Sequence, residues 1–452
     1  MSRRHPTVAE AESNVRAPDG RSLPRLLTEV PSREAMSLDQ HLAVHGELPL
    51  EQHHRRRDES ALIERVERAG LRGRGGAGFP TAVKLRAVAR GRRPIVVINA
   101  AEGEPASLKD RTLSDLLPHL MLDGGELAAQ AVGADEVIVC VCESAIASIE
   151  SVSAAIEERR GFSGSSVRMQ LSVVPSGYVA GQESALVNHL NGGAAIPTFA
   201  SPMPFEQGVR RRPTLINNAE TLAQLALIGR YGSTWFRELG TPSQPGSALV
   251  TLSGPVAYPG VYEIEHGASL SSLIDAAGGS TAPARAALLG GYAGSWIDGS
   301  LLGGLSLSDE HLATHGASLG AGVVLLLSQN ACPVAETARV ARWLADQSTR
   351  QCGPCLNGLD ALATTVEEIA SGAVQGNGAK RIERLAALVH RRGACGHPDG
   401  AVRLILSALD TFAGEFADHA RHGLCEACEG PAELPLPAKA SRPARTREAV
   451  AF

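Results

Sequence analysis

Gly70-Leu71-Arg72-Gly73-Arg74-Gly75-Gly76-Ala77-Gly78-Phe79-Pro80-Thr81-Ala82-Val83-Lys84 is the stretch that decides how this chain folds. Closely spaced glycines let backbone N–H groups approach an anion, and a helix starting just after them adds the positive end of its dipole. Arg74 and Lys84 supply cationic charge for a phosphate. The string is neither a Walker loop nor a GxGxxG placed directly after a strand. Taken alone it leaves a phosphate cradle and an ordinary tight loop both open.

Working outward, Asp58 is placed to cap a helix whose apolar positions Leu62, Ile63, Val66 and Ala69 recur at helical spacing, with Gly70 ending it. Downstream, Ile95-Val96-Val97-Ile98, Val137-Ile138-Val139-Cys140-Val141 and Leu171-Ser172-Val173-Val174 read as short apolar strands separated by helical stretches from about Leu116 and from about Ala145 to Arg159. That alternation predicts a largely parallel α/β sheet over residues 58–240. Thr241-Pro242-Ser243-Gln244-Pro245-Gly246 reads as a linker. Residues 247–330 read as a small α+β module, with strands at Ala248–Leu252, Val261–Ile264 and Val323–Leu327 and a helix at Leu270–Ala277. From Pro333 to about residue 430 the pattern is helical: a helix opening at Pro333, then Leu356–Ile369, Ile382–Val389 and Val402–Phe416. Residues 1–57 form a polar extension ending in the charged run Glu51–Arg57, which reads as solvated surface. Residues 431–452, rich in Pro, Ala and Arg, read as a disordered tail.

Composition narrows the function classes. The 452 residues are 44% hydrophobic and 20% charged with a formal net charge of -5, which points away from nucleic acid and lipid surfaces. The run Val323–Leu327 is far short of the ~18 apolar residues of a membrane span, and no apolar stretch follows the N-terminus as in a signal peptide. A cytoplasmic setting is expected, where the eight cysteines stay reduced. Cys352-Gly353-Pro354-Cys355 and, forty positions on, Cys395 then suggest metal before disulfide. The pair alone leaves an iron–sulfur cluster, zinc and a redox pair open. Cys140 and Cys142 alternate along a strand and, with Cys332, read as packing residues.

The glycine-rich string and Lys84 resemble the FMN loop of the NADH-binding flavoprotein subunit of respiratory complex I and its relatives in hydrogenases and formate dehydrogenases. Three further motifs follow in the same order: Asn99-Ala100-Ala101-Glu102-Gly103-Glu104-Pro105 with Lys109-Asp110-Arg111, then Gly177 to Leu186, then Pro213 to Thr221. The resemblance spans about residues 38 to 420. It implies a Rossmann-like FMN domain, a ubiquitin-like (soluble-ligand-binding β-grasp) module and a C-terminal α-helical iron–sulfur bundle. It implies FMN binding by Gly73, Arg74, Gly75, Gly76, Lys84, Asn99, Glu102, Tyr178, Gly181, Glu183, Asn217 and Asn218, the asparagines offering donors and acceptors to ribityl hydroxyls or the ring edge. Phe79 and Glu104 are implied on the nicotinamide side. The family's Ser-Cys-Gly-x-Cys-x-Pro-Cys pattern with a later lone Cys implies that Cys352, Cys355 and Cys395 hold a [4Fe–4S] cluster.

Five positions depart from that pattern. Ala101 stands where the family usually has Asp, Gln182 where it has Glu, and Ala87 and Met203 where aromatics cover the adenine; Thr349 occupies the first cysteine position. Cys425 or Cys428 is a candidate for the missing cluster ligand, with His397 a further one. The expected activity is electron transfer from NAD(P)H through FMN and the cluster to a protein acceptor such as a ferredoxin-like subunit, within a hetero-oligomer, FMN binding being more secure than NADH binding. The alternatives are an NADH-independent relay to or from a ferredoxin, and a scaffold subunit lacking the cluster.

Overall fold

The β-branched runs of the first two strands find apolar cover on both faces, which is what a parallel sheet requires. The computed structural model describes residues 23–31, 34–50, 56–160, 167–198, 202–373 and 377–437. After α1 (Leu38–His45) and α2 (Arg56–Ala69), the glycine-rich stretch leads into α3 (Thr81–Ala89) and β1 (Ile95–Ala100). Then α4 (Lys109–Leu116) and α5 (Pro118–Val132) carry the chain to β2 (Glu136–Cys142), and α6 (Ile146–Arg160) carries it to β3 (Arg168–Val174). α7 (Glu183–Leu190) and a long loop precede β4 (Thr214–Asn218), which runs straight into α8 (Ala219–Phe236). Because α2 opens at Arg56, Asp58 lies inside it rather than capping it; its side chain and residues 51–55 of the charged run are outside the described residues.

The four strands are all parallel, in the order β3-β2-β1-β4. Val96, Ile98 and Ala100 pack with Leu85, Met121, Leu122 and Leu222 on one face. Ile95 and Val97 pack with Ile138, Cys140, Ile216 and Leu186 on the other. Cys140 and Cys142 are buried, and burial pushes their thiols up to about 12 and about 11, so they pack as small hydrophobes. A Cβ on Gly124 would fall 1.8 Å from Leu222 O, so only glycine lets α5 and α8 touch there. Beside it, buried Asp123 accepts hydrogen bonds from His41 of α1 (2.7 Å), from Arg230 of α8 (2.5 Å) and from Arg159 of α6. Burial works against its charge, but the His41 hydrogen bond and the two guanidinium groups hold its pKa well below the usual carboxylate range.

β5 (Ser247–Ser253), β6 (Gly260–Glu265), α9 (Leu270–Ala276), β7 (Ala284–Leu289), β8 (Ser295–Asp298), α10 (Asp309–Thr314) and β9 (Val323–Ser328) form the second unit, a mixed five-stranded sheet in the order β6-β5-β9-β7-β8. The hairpin β7–β8 does not stand out in the sequence, because Ala284-Arg285-Ala286-Ala287-Leu288-Leu289 carries little strand propensity. β9 is apolar throughout because both its faces are covered. Val324 and Leu326 turn into the module's own core, and Val323, Leu325 and Leu327 turn toward the helices that follow.

Those helices are α11 (Pro333–Asp346), α12 (Leu359–Ala370), α13 (Gly378–Val389), α14 (His397–Thr411) and α15 (Ala413–His422). The single helix expected over Val402–Phe416 is two. Phe412 leaves helical geometry (φ -115°, ψ 34°) to place its buried ring edge-on to Trp296 at 5.3 Å. Both chain extensions are packed where they are described. Glu263 accepts from the backbone N–H groups of Arg25, Leu26 and Leu27, and the Arg25 guanidinium lies 3.8 Å over the Trp235 ring. At the other end Leu434 is buried, its N–H and that of Glu433 donate to Glu336, and Tyr292 donates to Pro435 O at 2.6 Å. Residues 431–437 are therefore part of the packed structure, while 438–452 lie outside the described residues.

Replacing Asp123 by Ala leaves Arg230 and Arg159 facing each other in a dry site. The expected loss is about 3–5 kcal/mol of unfolding free energy, read by chemical denaturation; a loss under ~1 kcal/mol would show that water reaches the site.

Candidate functional site

The glycine-rich stretch is pinched at its base by Gly73 N–H donating to Phe79 O (2.8 Å) and Thr81 N–H donating to Leu71 O (3.0 Å). The intervening residues project as a tongue in which Gly76 and Gly78 take positive φ (105° and 61°), a region that disfavours any side chain with a Cβ. A Cβ on Gly75 would sit 3.4 Å from Asn218 Cβ, so the tongue lies against the C-terminal end of β4. Asn99 and Asn218 are register partners at the ends of β1 and β4, and Asn217 pairs with Ile98. The strand order reverses between β1 and β4, and at such a switch point the carboxyl ends of adjacent strands open into a ligand crevice.

Asn217 Nδ2 is buried with no hydrogen-bond partner, an orphaned donor at the crevice. Lys84, on the first turns of α3, pairs with Glu183 on α7 and donates to Ile216 O at 3.2 Å. Asn99 donates to Gly181 O at 2.8 Å. The chain passes here backbone to backbone, since a Cβ on Gly181 would meet Ala101 O at 2.5 Å. These features fit a phosphorylated ligand with hydrogen-bonding hydroxyls. Two expected ligands are instead largely committed within the protein. Asn218 caps α8, accepts from Lys109 (3.2 Å) and donates to Asp110 (2.6 Å). The Arg74 guanidinium is buried, donates to Ser247 O at 3.0 Å and lies 3.8 Å from Glu220. Gln182 caps α7 by accepting from Ser184 and Ala185 N–H, a task its neutral amide oxygen performs as a carboxylate would.

Lys109 is a buried residue of the site that motif reading quoted but did not assign. Its ammonium is ringed by Asp110 (2.8 Å), Glu220 (3.1 Å) and Asn218. Burial opposes its charge, but the carboxylates outweigh that and raise its pKa. Glu102 accepts from Ser107 Oγ and from the N–H groups of Asp110 and Arg111 at the start of α4; burial, then Asp110, push its pKa up. Glu104 points the other way. It accepts from Tyr292 N–H of the mixed sheet (2.8 Å), from Ala106 N–H and, at 3.4 Å, from Tyr178 Oη. Tyr178 in turn meets Trp343 of α11 edge-on at 5.2 Å and His397 at 5.4 Å.

His397 follows Cys395 by two residues, so this aromatic group links the crevice to the cysteines. Cys352 and buried Cys355 flank a single π-helical turn at Pro354–Gly358, and Cys395 lies in the loop between α13 and α14. Burial raises the Cys355 thiol to about 11, and nearby Cys352 and Cys395 add to it. At Cys352 burial is outweighed by hydrogen bonds from the Ala394 and Cys355 N–H groups, and its pKa is lowered. Three converging soft donors of this kind fit an iron–sulfur cluster. Thr349 Oγ1 accepts from Gln351, which also donates to Pro197 O of the flavin-side domain. His397 donates through Nε2 to Leu344 O, and its buried Nδ1 has no partner.

Cys425 and Cys428 do not complete this site. Their thiols lie 3.6 Å apart and, with Cys332 and His419, form a separate group whose ligand atoms all fall within 4.8 Å of one another. Cys332, read from the sequence as a packing residue, is buried but belongs to that group. The sequence signal that could have found it is the Cys425-x-x-Cys428 spacing, without any hint of which partners close it.

A crevice for a phosphorylated cofactor at a parallel-sheet switch point, joined by aromatic contact to a three-thiolate loop, defines a flavin- and iron–sulfur-dependent electron-transfer protein. Residues 66–227 match the Nuo51 FMN-binding domain, 249–292 an SLBB domain, and 335–419 the NADH-ubiquinone oxidoreductase-F iron–sulfur binding region. The chain is 32% identical over 379 residues to the second NADH-quinone oxidoreductase F subunit of Rhizobium meliloti, covering 80% of this chain and 90% of the relative. It is 28% identical to the NADP-reducing hydrogenase subunit HndC of Solidesulfovibrio fructosivorans, covering 81% and 77%. A chain of the H2-reduced NAD+-reducing [NiFe]-hydrogenase superposes with a TM-score of 0.76 at 32% identity, covering 81% of this chain and 64% of that longer one. The protein belongs to the family of NADH-quinone oxidoreductase F subunits, and its cofactors are FMN and a [4Fe–4S] cluster.

Burial, partly offset by the Tyr292 and Ala106 N–H groups and the Tyr178 hydroxyl, lifts the Glu104 carboxyl from 4.5 to about 7. Its folded pKa exceeds its unfolded one, so its contribution to stability is full below about pH 4.5 and is lost as pH rises to about 7. Thermal melts should therefore fall more steeply between pH 5 and 8 for the native protein than for Glu104→Gln; parallel curves would mean that Glu104 stays ionised throughout.

Proposed function

We propose that the chain accepts reducing equivalents at the β1–β4 crevice and passes them to a ferredoxin-like subunit of a larger assembly, with a nicotinamide site weaker than that of typical relatives. FMN, when bound, exchanges a two-electron hydride for single electrons, which the cluster can carry onward. The residues supply position. The Gly73–Gly78 tongue and Lys84 would hold the phosphate, and Asn99 and Asn217 the ribityl chain or ring edge. Arg74 would act from beneath the tongue. Tyr178 would close the flavin off from the cluster loop. The observation that carries the reading is the contact of Tyr178 with Trp343 and His397, which joins the two redox regions ring to ring.

The weakened nicotinamide site rests on Ala87 and Met203, which lack the aromatic faces that would cover an adenine. Phe79, Val83, Met203 and Phe205 remain exposed apolar groups on this side of the chain. An NADH-independent relay is the second reading that these substitutions favour. The relatives are subunits of multi-subunit oxidoreductases, and among the described residues no helix is long and apolar enough to cross a membrane. A cytoplasmic location is favoured by the free cysteine ligands, which an oxidising compartment would tend to pair.

Anaerobically purified protein reconstituted with FMN should retain the flavin through gel filtration, and Lys84→Ala should release it. Micromolar NADH should bleach that flavin slowly, and Ala87→Phe should improve apparent NADH affinity by about fivefold, the equivalent of ~1 kcal/mol of stacking. Rapid bleaching of the unaltered protein would restore an ordinary nicotinamide site; no bleaching by NADH or NADPH, with reduction by a ferredoxin, would establish the relay.

Thr349→Cys addresses the cluster. With only three thiolates in place, one iron is expected to be labile, so the substitution should raise iron occupancy and lessen conversion to a three-iron EPR signal on mild oxidation. Equal iron content and oxygen resistance in both proteins would show that the fourth corner is already filled.

A further inference from the structure

The group formed by Cys332, His419, Cys425 and Cys428 lies outside the flavin crevice and apart from the three cluster cysteines. Cys332 Sγ is 3.3 Å from His419 Nε2, Cys428 Sγ is 3.9 Å from the same nitrogen, and Cys425 Sγ is 3.6 Å from Cys428 Sγ. A tetrahedral zinc with Zn–S of about 2.3 Å and Zn–N of about 2.0–2.1 Å has ligand–ligand edges of roughly 3.5–3.8 Å. The observed spacings straddle those edges. Ligand atoms this close leave no space between them for an inorganic iron–sulfide core, so the group suits one ion. We infer that these four residues hold a structural zinc ion.

The surroundings support this. His419 Nδ1 lies 3.0 Å from Ala370 O, so the carbonyl takes the ring N–H and turns the Nε2 lone pair toward the three sulfurs. A metal-bound histidine is oriented by just such an outer partner. Cys332 caps α11 and accepts from Ala335 N–H at 3.3 Å, which favours its thiolate. Cys425 and Cys428 form a C-x-x-C turn closed by Cys428 N–H donating to Cys425 O at 3.0 Å. Cys332 and His419 are buried, Cys428 is half-buried and only Cys425 is exposed, so the site is closed and has no open position for substrate. The ion ties the start of α11 to the end of α15 and to the segment that continues to Glu433 and Leu434. α11 carries Trp343 and leads into the Cys352 loop, so the clasp braces one wall of the redox path without taking part in it.

The test uses the full chain, expressed with zinc and iron and purified anaerobically. Elemental analysis should find about one zinc per chain in addition to cluster iron. Cobalt in place of zinc should give the visible bands of tetrahedral Co(II) with thiolate charge transfer. His419→Ala and Cys428→Ser should each lower zinc at least tenfold, leave FMN retention unchanged, and speed proteolysis between residues 419 and 437 at least tenfold. The wild-type cobalt spectrum decides the matter if those variants fail to fold. The inference is overturned if the wild type excludes zinc and cobalt while the four residues stay freely modifiable. It is equally overturned if Cys425→Ser removes cluster iron, which would make these residues iron ligands, or if mass spectrometry finds a Cys425–Cys428 disulfide in the anaerobic protein.

Discussion

The reversal of strand order between β1 and β4 is the constraint from which the rest follows. Parallel strands linked by right-handed crossovers can lengthen a sheet in one direction only until the chain returns to the starting strand and adds on its other side. Here it returns after β3, and β4 is laid beside β1. That single step brings Asn99, Asn217 and Asn218 to a common edge, and it opens the gap that the glycine-rich tongue covers. The tongue is stable there because its base is a hydrogen-bonded pinch and its tip has no side chains to collide with β4.

The domains are joined by buried carboxylates that each serve several partners. Glu220, at the start of α8, accepts from Leu249 N–H of β5 while facing Lys109 and Arg74. Glu263 of β6 takes three successive N–H groups of the N-terminal segment and the Ser247 hydroxyl. Such groups are costly to bury and are tolerated only where every lone pair is matched, so they set the relative placement of the units more strictly than apolar contact alone. Arg74 illustrates the consequence. A residue whose sequence context suggests a phosphate ligand has its guanidinium bound to the second domain, and it supports the tongue from below.

The cysteines divide into three classes by surroundings. Cys140 and Cys142 are buried in a sheet face and inert. Cys352, Cys355 and Cys395 converge at a π-helical turn and a loop, an irregular backbone that spreads its donors widely. Cys332, Cys425 and Cys428 close with His419 into a compact tetrad. Chemical identity is the same throughout; the backbone that carries each thiol decides whether it packs, joins a cluster or meets a single ion.

Much was legible without coordinates. Alternating apolar runs and helical periods located β1, β2, β3, β5, β6 and β9 and most of the helices, because those patterns follow from burial on one or two faces. The glycine string, the asparagine motifs and the three spaced cysteines marked the chemistry, since backbone approach and soft ligation each demand particular residue types. The strand at Thr214–Asn218 and the alanine-rich β7 were silent, as neighbouring strands rather than local propensity put them in sheets. Phe412 broke a helix for the sake of one ring contact. Cys332 met His419 and the Cys425 pair only because α11, α12 and α15 pack together; no local rule relates residues so distant in the chain. The sequence by itself determined which segments could be strand, helix or ligand loop, since those choices depend on the residue and its near neighbours. The tertiary structure alone decided which of those ligands share a site, since that depends on packing between segments whose separation along the chain carries no information about their distance in space.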